Sequence, residues 1–169
     1  MAKKVINKPM ISKWVGGGYI IITIFIAILF LFIGSLSDIR SGPVNLKIIV
    51  YSVMTFALLL LGSITFSLYR TKYVIQNGVL SSWSPFAKIN LKIKDIKNIE
   101  RTRIPFHIRV GASLYCGMFY IPEFGWTKTI ITNLSDGLLM TDKNNKHYLI
   151  TPSNPEKFVK LLKSTRLKK

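Results

Sequence analysis

"SLYRTKYVIQNGVLSSW", residues 67–83, joins two kinds of chain. Behind it, from Ile48 to Tyr69, no residue is charged. Ahead of it, apolar runs flank Asn77-Gly78, a pair suited to a two-residue β-hairpin turn because both central positions of that turn need positive φ. Only Arg70, Thr71 and Lys72 stand between the two patterns, so a sheet is expected to begin directly after a long apolar helix.

Toward the N-terminus, Trp14 to Ser37 forms another charge-free stretch, containing "YIIITIFIAILFLFIGSL". About 20 helical residues, at roughly 1.5 Å of rise each, cover the roughly 30 Å hydrocarbon layer of a bilayer, so both stretches are expected to span it. Helices buried in a soluble bundle are the rival reading, but those usually carry charges along one face. A cleaved signal peptide is a second rival for the first stretch, since Lys3, Lys4, Lys8 and Lys13 precede it. Its apolar run exceeds the roughly 7–15 residues of a signal core, and no A-x-A-like site follows, which favours a retained anchor. The expected organisation is a basic N-terminus (1–13), a first transmembrane helix (14–37), a short external loop (38–47), a second transmembrane helix (48–69) and a domain over residues 70–169.

The chain has a net charge of +17, and its 24 Lys and Arg are unevenly placed. Four lysines precede the first apolar stretch, the loop holds only Arg40 and Lys47, and the rest follow Tyr69. Basic residues concentrate on the cytoplasmic side of membrane proteins, so both termini are expected in the cytoplasm at the cell (inner) membrane, with the loop outside. Trp14, Tyr19, Tyr51 and Tyr69 lie near helix ends, where interfacial aromatics are common, though each would serve equally in a helix contact. The single cysteine, Cys116, excludes a disulfide framework and a cysteine-rich metal site, and reads as a small apolar residue in a strand. The glycines at 16–18 open an apolar run with no strand before them; they suit close helix packing or interfacial flexibility rather than a phosphate loop.

Beyond Arg70 the apolar period changes from helical to alternating. "KYVIQ" and "VLSSW" make the opening hairpin. In "KINLKIKDIKNIERTRI", Ile89, Leu91 and Ile93 alternate with lysines until the phase slips at Lys94-Asp95, where a bulge or short turn is expected. Phe119–Ile121 and Trp126–Thr132 read as strands around "PEFG", and "GLLMTD" with "KHYLITP" as a last hairpin. "SNPEKFVKLLKSTR" then has Ser153 or Asn154 as a cap, Pro155 in the first turn, and Phe158, Leu161 and Leu162 at helical spacing. The expected fold is an α-helical transmembrane hairpin followed by a mainly β domain, its bent antiparallel sheets forming a sandwich or partly open barrel capped by a C-terminal helix.

Two strings, "FYIPEFGWTKTIITNLSDGLLM" (119–140) and "HYLITPSNPEKFVKLL" (147–162), resemble the bacterial PH (pleckstrin-homology-like) domain of small prokaryotic membrane proteins. The resemblance covers roughly Lys72 to Leu162. It implies a membrane-tethered PH-like domain and supplies no catalytic residues. Eukaryotic lipid-binding relatives of that fold grip phosphates with Lys and Arg around an extended loop between their first two strands. Here that loop is the Asn77-Gly78 turn, flanked by Gln76 and Val79, which has no cation and little room.

Catalysis needs titratable groups that come together, and few are available. His107 and His147 are far apart; His147 suits a half-exposed structural role at a strand start, and His107 is a surface residue or a ligand contact. Asp95, Glu100, Glu123, Asp136, Asp142 and Glu156 lack metal-ligand spacing, so no catalytic residue, metal or cofactor is expected. The cations are the chemical signal. Arg70, Lys72, Lys88, Lys92, Lys94, Lys97, Arg101 and Arg103 are candidates for contact with an anionic lipid surface, at about 1 kcal/mol per cation near the headgroups. A solvated face and the positive-inside bias account for part of the same set. Nucleic acid is not an expected partner, since neither aromatic platforms nor a groove-reading helix is evident. The sequence therefore points to a non-enzymatic interaction or scaffold module at the membrane face. Its expected partners are the bilayer, anionic lipids and a membrane protein or second copy; the alternative is an accessory subunit of a membrane enzyme or transporter.

Overall fold

The computed structural model describes residues 4–36, 41–84, 87–104 and 115–167. They fall into two units, Lys13–Tyr69 on the one hand and Met1–Ser12 with Arg70–Lys169 on the other.

The helical unit contains α1 (Lys13–Ser35, 23 residues) and α2 (Val44–Arg70, 27 residues). At roughly 1.5 Å per residue they measure about 34 and 40 Å, enough to cross a bilayer. α2 starts four residues before the charge-free stretch, immediately after Pro43, whose carbonyl accepts the Lys47 N–H at 3.3 Å. The helices run antiparallel: Thr23 meets Thr65 with 3.2 Å between hydroxyls, and Phe30 packs edge-on against Tyr51 at 5.9 Å between ring centres. Hydroxyls in these helices return to their own turns, Thr23 donating to the Tyr19 carbonyl at 2.7 Å and Ser67 to that of Ile64 at 2.9 Å. That satisfies them without recourse to water. Phe25, Leu31, Phe32, Phe56 and Leu59 are between 59% and 71% exposed, which fits lipid-facing helices and not the buried helices of a soluble core. Of the glycines expected to allow close packing or flexibility, Gly16 is buried while Gly17 and Gly18 face open space; Gly34 is also approached by the partner helix, with Tyr51 3.4 Å from where a Cβ would sit.

The second unit is built from two sheets. The first has the order β1-β2-β3-β4, from Val5–Asn7, Lys72–Gln76, Val79–Ser84 and Ala87–Lys92, all antiparallel. The second has the order β5-β8-β9-β7-β6, from Ile96–Thr102 (β5), Cys116–Ile121 (β6), Gly125–Ile130 (β7), Gly137–Asp142 (β8) and His147–Ile150 (β9). α3 (Pro155–Leu167) follows. The Asn77-Gly78 turn takes φ of 53° and 72°, as a two-residue hairpin turn requires. The phase slip at Lys94-Asp95 is a 3₁₀ turn, Ile93–Asp95, which separates the two sheets. At the start of α3 the cap is Asn154, whose side-chain oxygen accepts the Lys157 N–H at 2.9 Å.

Alternation decides what is inside. Tyr73, Ile75, Leu80, Ile89 and Leu91 of the first sheet are buried, and Ile121, Ile131, Leu139 and Leu149 form a cluster under the second with Ile104. α3 closes the structure through Phe158 and Leu162, both almost fully buried, with the Phe158 ring edge-on to Tyr73 at 6.0 Å. Burying Phe158 contributes about 2–3 kcal/mol.

Two features depart from a simple antiparallel reading. β7 pairs with β9 in parallel, Thr127 with His147 through Ile130 with Ile150, so the second sheet is mixed. The other is the N-terminal segment. Val5, Ile6 and Asn7 pair with Ile75, Val74 and Tyr73, adding an edge strand to the first sheet. The chain then crosses to the second sheet: the Met10 N–H donates to Thr151 O and the Ser12 N–H to Thr132 O, both at 2.9 Å, and Ser153 donates to Lys8 O at 3.0 Å. A basic flank in the sequence is thus a strap that joins both sheets. The hydroxyl of Thr132, fully buried, donates to Met10 O at 2.6 Å and lies 2.8 Å from the Thr151 hydroxyl, so the strap completes a buried polar network.

Candidate functional site

The eight cations singled out in the sequence do not gather at one place. Arg70 is the last residue of α2, and Lys72 opens β2. Lys72 and Lys88 both pair across strands with Trp83, in one row Lys72–Trp83–Lys88 on the outward face of the first sheet. All three side chains are exposed, Trp83 by 61%.

Lys92, Lys94 and Lys97 lie at the opposite end of β4 and just beyond it. Four residues separate Lys88 from Lys92, about 13 Å along a strand. Here α3 packs on the 3₁₀ turn and brings Lys163 and Arg166 alongside. A depression of about 250 Å³ is lined by Lys92, Lys94 and Arg166 beside Asn77 and Gly78. A second, of about 170 Å³, adjoins it through Ile93 and Arg166 and adds Lys97 and Lys163. The turn itself holds no cation, as the sequence implied. Its Gly78 carbonyl accepts the Ile93 N–H at 2.8 Å, which binds the 3₁₀ turn to it. The cations beside it come from distant segments, and α3 supplies two that the local sequence around the turn could not reveal.

Asp95 is the more exposed of two carboxylates at this end among the described residues, the other being buried Asp142 opposite Ile96. Lys143 hydrogen-bonds to Asp95 at 2.8 Å and holds its carboxyl below the usual range, with Lys94 and Lys92 adding to the effect. The cations at this end therefore remain in excess, and the depression can attract anions.

Arg101 and Arg103 form the third group. Arg101 grips Asp136 with two nitrogens, at 2.7 and 2.9 Å, and reaches Glu156 at 3.4 Å. Asp136 is the main cause of its raised pKa. The network ties β5 to the loop after β7 and to the first turn of α3, a structural use for a residue proposed as a lipid contact. Arg103 is exposed next to Ile104.

His147 opens β9, its Nδ1 3.1 Å from the Thr141 hydroxyl and its ring 6.4 Å from that of Phe124, which is a packing role. His107 lies outside the described residues. Cys116 is buried in β6, its sulfur 2.7 Å from the Ser84 hydroxyl. Among the described residues, no three of His, Cys, Asp and Glu come together to hold a metal.

The model of the bacterial PH domain matches residues 71–166 of the 169, and the chain belongs to that family. Two helices long and apolar enough to cross a membrane precede the match, which makes it a membrane-associated PH-domain protein. No curated protein and no solved structure gave a significant match. The family match starts at Thr71, so the strap at residues 4–12 lies outside it.

Proposed function

We propose that this is a non-enzymatic protein of the cell (inner) membrane whose two helices cross as a hairpin, with both termini in the cytoplasm. The PH-like domain acts there as an interaction module at the membrane face, engaging anionic lipid, a protein partner, or both. The observation that carries this reading is the strap. Residues 4–12 and the domain after Arg70 belong to one folded unit, although two apolar helices separate them in the chain. A single domain can be assembled from both flanks only if they lie on one side of the bilayer. The three lysines ahead of α1, Lys13 at its start and the basic domain after α2 then favour the cytoplasmic side. PH domains are generally non-catalytic, and the cationic surface described above suits association.

Protease added to sealed, right-side-out cells is expected to leave the C-terminal domain intact, and to degrade it once the membrane is permeabilised. Digestion from outside in sealed cells would overturn the topology. Purification in mild detergent tests the functional half: a stoichiometric enzyme or transporter partner would replace the stand-alone module by an accessory subunit.

A further inference from the structure

The outward face of the first sheet is not an ordinary solvated surface. Register puts Ile6 opposite Val74, which faces Ser81, and in the next row Trp83 between Lys72 and Lys88, so that Ile6, Val74 and Trp83 make a diagonal apolar strip over three strands with lysines beside it. Ile6 is 52% exposed and Trp83 61%. Lys8, two residues beyond Ile6 on the strap, is exposed as well. Among the described residues, neither Lys72 nor Lys88 has a carboxylate ion-pair partner.

Chain geometry fixes where this strip can be. Lys72 follows Arg70, the end of α2, by two residues, a span of at most about 7 Å. Trp83 sits directly across from Lys72, about 5 Å away between Cα atoms. Its backbone therefore stays within about 12 Å of the end of a helix read as crossing the bilayer. β1 leaves the sheet at this same end, toward α1, since Asn7 pairs with Tyr73. The Asn77-Gly78 turn and the depression beside it lie at the other end of β2.

An indole has an apolar body and a polar N–H, and is most stable at the boundary between headgroups and acyl chains. Lysines next to it add attraction to lipid phosphates. The geometry points to this face as a docking surface for the anionic headgroup boundary of the bilayer that holds the chain's own helices, with Trp83 as the inserted anchor and Lys72 and Lys88 as its phosphate contacts. This rests on the membrane-spanning reading above. Docking brings the Lys72 end of the first sheet to the lipid.

The test uses the full chain in liposomes of phosphatidylcholine and phosphatidylglycerol, with Trp83 as the sole tryptophan through Trp14→Phe and Trp126→Phe. Both replaced residues are exposed, at 88% and 57%, so the fold tolerates the exchange. Trp83 emission is expected to shift to the blue and to be quenched by lipids brominated near the carbonyl, more strongly as the phosphatidylglycerol fraction rises. Lys72→Gln and Lys88→Gln should each lower the ratio of docked to undocked domain by about fivefold. A companion chain retaining only Trp14, in the first turn of α1, reports on the helices. If Trp14 is quenched by brominated lipid while Trp83 remains open to aqueous acrylamide, docking is overturned and spanning stands. If neither is quenched by the lipid, both fail. Trp83 shielded from acrylamide yet untouched by bromine also overturns the proposal, in favour of a second copy covering the strip.

Discussion

Tyr73 shows how much depends on single polar atoms in this domain. Its ring is fully buried, its hydroxyl donates to Ile130 O at 3.3 Å, and the Thr151 N–H donates to it at 3.2 Å. Burial pushes its hydroxyl up to about 12 from the ordinary 10, with the bonds from Thr151 pulling weakly the other way. Because the folded state favours the neutral phenol, the stability this adds is complete below pH 10 and is lost as pH rises toward about 12. Tyr73→Phe should cost about 1–3 kcal/mol at neutral pH by leaving two buried backbone groups short of a partner. Denaturant unfolding at several pH values should then show the gap between the two proteins narrowing above pH 10; parallel profiles would refute the role given to the hydroxyl. Asp142 does comparable work at the β8–β9 turn, its Oδ1 accepting the N–H groups of Asn144 and Lys146 at 2.8 and 2.9 Å. That bonding favours Asp at the turn and lets Asn145 take a φ of 55°.

Among the elements, the pairing of β8 with β9 leaves little room for added volume at Gly137. A Cβ on Gly137, where β8 begins, would meet Ile150 O at 3.1 Å, Leu149 Cδ1 at 3.3 Å and Ile104 Cγ1 at 3.4 Å. The carbonyl belongs to a strand paired on both sides, to β8 and to β7, and has little freedom to yield. Gly137→Ala is accordingly expected to destabilise the domain by about 1–3 kcal/mol, read as a lower unfolding midpoint. An unchanged midpoint would mean that β9 can shift. The β2–β3 and β6–β7 hairpins were legible from turn chemistry, because Asn77-Gly78 and the glycine of "PEFG" supply the positive φ their turns need. The parallel β7–β9 pair was not, since nothing local to either strand specifies a neighbour that is not its hairpin partner.

For the whole molecule, the strap matters most. Residues 4–12 contribute an edge strand to the first sheet and share five backbone or hydroxyl bonds with the segments that follow β7 and β9, donated by Met10, Ser12, Thr132 and, twice, Ser153. With each such bond contributing about 1 kcal/mol net, deleting residues 4–12 should lower domain stability on the order of 3–5 kcal/mol. Urea unfolding of the full chain in detergent, followed by near-ultraviolet circular dichroism, would check this. An unaltered midpoint would reduce the strap to a surface ornament and remove the topological argument built on it.

Much was settled by the chain's local chemistry. Charge-free runs of this length and apolarity make helices long enough to cross a membrane, and strict alternation with turn residues between runs makes strands, so the two helices, most strands, the 3₁₀ turn and the capped α3 could be read directly. Individual cations could be named too, but not their company. Grouping depends on which distant segments the fold brings side by side: it spread eight candidates over three places, committed Arg101 to Asp136 and Glu156, and set Trp83 between two lysines. The strap was equally invisible. "VIN" is three residues long and carries no hairpin turn, and its partner β2 lies beyond two helices, so only the assembled sheet, with an open edge to pair with, determined where it goes.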